Sequence, residues 1–329
     1  MVINTQIIIY SYIFICISII VFNILFIQKK KIDNIRRILK KELNFKEELS
    51  GFIENNTFDE DILKYLKKEV KTNNDLMALD SFFDSYIKNK NKNIFNFIYK
   101  LKPFYFEKFE EYLKKDEMYI AYIVSLLSKY NLVTKEDTEM ISKLFDLISG
   151  KSTHVRFKVL KLFAKNGDSN SLITALKIIS NKGYYYNNKI VLEILNDYKG
   201  DYDLLKKELL NNFYKFSEEI QKGIITFLTT GQCKYRKELL NMLEDDKTEK
   251  EVKLEIIKFF GRTKYTYANK VLINIVNNYN PINFEYTLEA VKALKIYDTK
   301  SSLNCLRQAL SIKNELINNE IKIALGDDK

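Results

Sequence analysis

From Ile7 to Ile27 the chain runs for 21 residues without a charged side chain, and 15 of them are Ile, Leu, Phe or Val. As a helix rising about 1.5 Å per residue this stretch is about 31 Å long, close to the roughly 30 Å hydrocarbon core of a bilayer. Ile, β-branched, favours a strand in water. In lipid a single segment satisfies its own backbone only as a helix. Each large apolar residue favours insertion by about 0.3–0.6 kcal/mol at mid-bilayer, and Ser11, Ser18 and Asn23 are too few to cancel them. The pattern predicts a transmembrane anchor over residues 1–28, with Tyr10 and Tyr12 as interfacial aromatics near one end. A cleaved signal peptide would carry its positive charge before the apolar run. Here the order is reversed, with Lys29-Lys30-Lys31 directly after it.

Residues 29–51 change period. Ile32, Ile35, Leu39, Leu43 and Leu49 fall near one face of a helix, so the segment reads as a basic amphipathic helix that lies on the lipid surface or packs on the body. The heptad pattern breaks near Glu42, against a coiled coil. Residues 52–150 read as degenerate helical hairpins. Thr57-Phe58-Asp59-Glu60 has the form of a capping box before ILKYLKKEV. Further helices are expected at about 74–88, 93–101, 104–115, 117–130 and 135–149, with Pro103 marking a boundary.

Residues 151–329 are periodic. In the first unit Val155, Val159, Leu160, Leu162 and Phe163 precede Gly167-Asp168, and Leu172, Ile173, Leu176 and Ile179 follow. That is helix, tight turn, helix. The pattern recurs with turns at Gly200-Asp201, Gly231-Gln232, Thr263-Lys264 and Tyr297-Asp298, about 31–34 residues apart. Glycine at the turn is expected to take the left-handed cap, and the following Asp to cap the second helix. The run V-R-x-x-V-L-x-x-F-A-x-x-G-D, at Val155 to Asp168, resembles the HEAT repeat. The likeness is weaker in later units, where Arg156 has no counterpart. Tetratricopeptide and ankyrin signatures are absent. The resemblance implies an all-α protein: a HEAT-like α-solenoid of stacked helical hairpins behind a single N-terminal transmembrane helix. It also implies a concave wall built mostly from the second helices. Their polar positions, Asn170, Thr174, Lys207, Arg236, Lys237, Lys270, Asn274, Asn304 and Arg307, are the expected partner-binding face. Tyr184, Tyr185 and Tyr186, between two units, are a candidate aromatic contact or a cover over the junction.

Composition narrows the chemistry. Nine glycines and two prolines in 329 residues supply too few turns for a many-stranded sandwich or barrel. A single histidine, His154, leaves no partner for a histidine-activated nucleophile and no zinc set. No phosphate-cradling glycine loop occurs. The carboxylate pairs Asp59/Asp61, Glu218/Glu219 and Asp245/Asp246 fall where helices start or turn, as caps do. Cys16, Cys233 and Cys305 form no metal or disulfide pattern. No catalytic residue, cofactor or metal is expected.

The net charge of +10 is uneven. Lys29, Lys30, Lys31, Arg36, Arg37, Lys40 and Lys41 against Asp33 give residues 28–41 a surplus of six, leaving four for the rest. Placed beside an apolar run, these cations suit anionic lipid, and the positive-inside rule puts the body in the cytoplasm with the short amino terminus outside. The expected function is a membrane-anchored, non-catalytic scaffold that binds a protein partner of unspecified identity. The alternatives, resembling HEAT-like DNA glycosylases or HEAT-like bilin lyases, are a nucleic-acid binder and an enzyme. The small surplus on the body argues against nucleic acid, and the lack of motif chemistry against the enzyme.

Overall fold

A computed structural model describes residues 2–150, 152–229 and 234–326, with side chains from residue 9 onward. The described residues contain eighteen α-helices and no strand. They divide into two compact units, Met1–Leu132 and Val133–Lys329.

The first unit holds α1 (Val2–Glu54), α2 (Glu60–Glu69), α3 (Asn73–Lys88), α4 (Ile94–Lys100), α5 (Lys102–Tyr112) and α6 (Glu117–Lys129). The apolar run and the basic segment after it form one uninterrupted helix, α1, rather than two. No glycine or proline lies between Val2 and Ser50 to break it. Its last turns pack on α3 through Phe45, Leu49 and Ile53, all buried and four residues apart. This corrects the face read from sequence. Ile32, Ile35, Leu39 and Leu43 stay exposed, and of that set only Leu49 is in the core. Asp59, not Thr57, caps α2, accepting from the backbone N–H of Asp61. A capping box does occur at Thr72, which trades hydrogen bonds with Asp75 at the start of α3. Pro103 sits in the first turn of α5, where its missing N–H costs nothing.

The core of this unit is aromatic, with Phe82, Phe83, Phe97, Phe104, Tyr105 and Phe109 fully buried. Its polar centre is Asp80, which accepts from the Tyr130 hydroxyl at 2.5 Å and Lys129 Nζ at 2.7 Å. Lys129 also reaches Asp84 at 2.7 Å. Burial raises the Tyr105 and Tyr130 hydroxyls well above the ordinary phenol range, and nearby Asp80 adds to it. Burial likewise pushes Tyr65 and Tyr112 up to about 12.

The second unit holds α7 (Thr138–Ser149), α8 (Thr153–Lys165), α9 (Ser169–Asn181), α10 (Asn188–Asn196), α11 (Tyr202–Asn211), α12 (Glu218–Leu228), α13 (Arg236–Glu244), α14 (Lys250–Phe260), α15 (Thr266–Asn277), α16 (Phe284–Leu294), α17 (Lys300–Ala309) and α18 (Glu315–Leu325). Its neighbours are two helices apart: α8 packs on α10, α10 on α12, α12 on α14, α14 on α16 and α16 on α18. On the other row α7 packs on α9, α9 on α11 and α15 on α17. The helix read at 135–149 therefore joins the later hairpins, as α7.

Side-chain bonds between neighbouring hairpins repeat the sequence period. Lys161 pairs with Glu193, 32 residues on, and Lys234 with Asp203, 31 residues back. Asn269 donates to Thr299, 30 residues on. Consecutive turns also touch. The Tyr198 hydroxyl donates to the Gly167 carbonyl at 3.0 Å, and Lys199 N–H to the Ala164 carbonyl at 3.0 Å. Gly167 has the expected left-handed backbone, φ 66°, and Asp168 caps α9 through Ser171 N–H. Gly200 differs: it is not left-handed, and its need for glycine is steric. A Cβ there would lie 2.6 Å from the Gly167 carbonyl oxygen and 2.5 Å from the Tyr198 hydroxyl. The turn read at Gly231-Gln232, and Cys233, lie outside the described residues.

Candidate functional site

The nine polar positions expected to face a partner all fall on second helices. Asn170 and Thr174 are on α9, Lys207 on α11, Arg236 and Lys237 on α13, Lys270 and Asn274 on α15, and Asn304 and Arg307 on α17. Eight are exposed. Arg236 is half-buried, with Nε enclosed and unpartnered. Its charge works against the burial that raises the Tyr297 hydroxyl. Among the described residues no hydrogen bond or ion pair joins any two of the nine, and none of them lines a common pocket.

The tyrosine run separates into two roles. Arg156 is only 3% exposed. Its Nη1 donates to the Gly150 carbonyl at 2.6 Å and its Nη2 to the Thr153 hydroxyl at 2.9 Å. The Tyr184 ring covers the guanidinium at 3.9 Å, and the Tyr184 hydroxyl donates to the Ser149 carbonyl. Tyr186 is buried, and its hydroxyl, raised by burial, is drawn back down by Arg156. Both residues therefore hold the junction between α7, α8 and α10. Tyr185, 70% exposed, is the one of the three that faces solvent.

Of the seven cations proposed to meet lipid, Lys29, Lys30, Lys31, Arg36, Arg37 and Lys40 are exposed. Lys41 is turned inward instead: its Nζ lies 2.6 Å from Glu69, over the Phe45 ring. The apolar half of α1 has a mean hydropathy of 2.4 and is long and apolar enough to cross a membrane. Among the described residues, none of the most apolar 18-residue window of that stretch is buried, unlike the core helix of a globular domain.

Sequence reasoning missed a cleft of about 620 Å³ lined by Tyr214, Phe216, Ser217, Glu218, Gln221, Lys247 and Glu249. It lies at the starts of α12 and α14. Gln221 is 6% exposed; its Nε2 donates to the Phe216 carbonyl at 2.8 Å, and its Oε1 has no donor. A glutamine set among the apolar positions of α12 was the available signal. His154 is exposed in the first turn of α8. Cys305 is buried, and burial raises its thiol, which makes it a poor nucleophile. Among the described residues no group of His, Cys, Asp and Glu is placed to hold a metal ion. No family model, curated protein or solved structure matches the chain.

Proposed function

We propose that the chain is a membrane-anchored, non-catalytic scaffold whose HEAT-like α-solenoid binds a protein partner along its second helices. The single observation that carries the anchor is an apolar helix segment of hydropathy 2.4 that nothing in the chain covers. Leaving about fifteen large apolar side chains in water is untenable beside burying them in lipid. The cations that follow favour a cytoplasmic body and a short external amino terminus. Lys29, Lys30 and Lys31 would each add up to about 1 kcal/mol at an anionic leaflet, while Arg36, Arg37 and Lys40, farther along α1, would act on it only at longer range.

The solenoid reading is supported by packing of helices on the one two places along, from α8 to α18 in one row and over α7–α9–α11 and α15–α17 in the other, and by bonds that recur at the spacing of the turns. Such hairpins cannot bury their apolar faces singly and do so by stacking. Exposed polar side chains spread over five second helices, with no bonds to one another, suit an extended protein contact better than a small ligand.

Alkaline carbonate extraction and thiol labelling of cysteines introduced at residues 3 and 92 test the anchor and its orientation. The expected result is retention in the pellet, with residue 92 protected in intact cells. A chain released by carbonate, or labelled from outside at residue 92, rejects it. Detergent co-purification tests the binding face. Charge reversal at Arg236, Lys237 and Arg307 together is expected to lower recovery of a stoichiometric partner at least tenfold without changing helix content.

A further inference from the structure

Between its apolar half and the turns that pack on α3, α1 carries a second apolar surface. Ile32, Ile35, Leu39 and Leu43 recur at spacings of three and four and so share one face. They are 49%, 47%, 53% and 60% exposed, and the body covers none of them. The buried face of α1, through Phe45 and Leu49, points elsewhere.

Lipid reaches only the near end of this stripe: Ile32, about 8 Å past Ile27, lies at the edge of the headgroup layer, and Ile35, Leu39 and Leu43 lie beyond it. If α1 spans the membrane up to Ile27, an unbroken helix carries Leu39 about 18 Å and Leu43 about 24 Å beyond the hydrocarbon boundary. The headgroup layer is only about 5–8 Å deep on each side. A tilt of about 20°, ordinary for a spanning helix, shortens those heights by less than a tenth. The continuity of α1 thus withdraws the option that the amphipathic segment lies flat on the membrane.

A second copy does not suit it either. Copies anchored in one membrane run parallel, which sets Lys31 of one against Arg36 of the other at the edges of the seam. Each copy also brings a surplus of six charges over residues 28–41. Like charges placed so are destabilising. Within the chain the edge cations are almost unanswered. Arg36 reaches only Asp33, at 4.0 Å and largely exposed, and Lys40 has no ion partner.

We propose that the Ile32–Ile35–Leu39–Leu43 stripe of α1 docks an amphipathic helix with acidic flanks, rising from the same membrane as part of another membrane protein. The inference rests on the anchor reading, which fixes the height of the stripe. The apolar side chains supply the contact area, and Lys31, Arg36 and Lys40 select Asp and Glu along the partner's edges and reject a basic one.

Photocrosslinking of the full-length chain in its native membranes tests this, using Leu39→p-benzoylphenylalanine, with Phe22→p-benzoylphenylalanine alongside. At residue 39 the expected product is a heteromeric adduct. Its crosslinked peptide should have apolar residues at helical spacing, Asp or Glu beside them, and an adjoining apolar span. Arg36→Glu with Lys40→Glu should cut the yield at least tenfold. A lipid adduct, an adduct of twice the chain's mass, a partner peptide without acidic flanks, no adduct, or a yield indifferent to the charge reversal would each overturn the proposal. At residue 22 a lipid adduct is expected. Its absence sinks the anchor reading and the docking proposal together, whereas a lipid adduct at 22 with one of the adverse results at 39 sinks only the docking proposal.

Discussion

Arg156 is the residue where burial, charge and aromatic cover meet. Its guanidinium has two hydrogen bonds and the Tyr184 face above it, so its charge is dispersed rather than stranded. Arg156→Ala removes those bonds and opens a hole between α7, α8 and α10. It is expected to lower stability by about 2–4 kcal/mol in urea unfolding. Tyr185→Ala, by contrast, should stay within about 0.5 kcal/mol. A single sequence offered three adjacent tyrosines with no means of ranking them. What ranks them is a buried cation one turn into α8, Arg156, which the sequence marks as part of the HEAT-like run but gives no sign of lying beneath a tyrosine. The aromatic core makes a pH prediction. Tyr65 and Tyr112 titrate near 12 when folded, against about 10 when unfolded. The folded chain therefore keeps phenolic protons that the unfolded chain releases. Their contribution to stability is complete below about pH 10 and is lost as pH rises toward 12. The denaturant midpoint should fall across that window, and at about pH 11 phenolate absorbance from these two rings should increase on unfolding.

At the scale of the element, helix existence was legible and helix surroundings were not. Apolar spacing located α3 to α7 within a few residues, because the 3.6 period survives without tertiary information. Capping was less readable. Thr57 looked the better start for α2, but Asp59 carries the cap, and Asn55, Asn56, Thr57, Asp59 and Asp61 within seven residues give sequence alone no way to choose. The stripe of α1 was legible as a face, but what that face meets was not. Periodicity marks an apolar face without saying whether that face is buried, and in α1 the packed residues Phe45, Leu49 and Ile53 belong to another one. Thr299 makes an element-scale test. Its side chain closes the capping box of α17 with Ser302 and also accepts from Asn269 in the preceding hairpin. Thr299→Ala should cost about 1–2 kcal/mol, with faster amide exchange in the first turn of α17 and at the start of α15.

For the whole molecule, the turn spacing of 31–34 residues was the most informative signal, because it reappears as the separation of bonded side chains across hairpins. The nine polar positions could be assigned to second helices from the same period, whereas the Gln221 cleft depends on how two loops meet and left one trace in the sequence, a glutamine at an apolar position of α12. If the hairpins stack as proposed, stability is carried by nearest neighbours. Removing α18 should then raise amide exchange in α16 and α17, which it touches, and leave α8 to α10 unchanged. A cooperative loss of protection throughout the second unit would contradict that. The hairpins also differ at their seams. One junction uses a guanidinium under a tyrosine, the next a pair of glycines in near contact beneath Tyr198, and a later one an asparagine reaching a threonine cap. Chains of similar hairpins are prone to swapped or slipped assembly. Because these three seams differ chemically, a hairpin docked on its rightful predecessor meets groups that match its own, and an out-of-order pairing there leaves those ends mismatched.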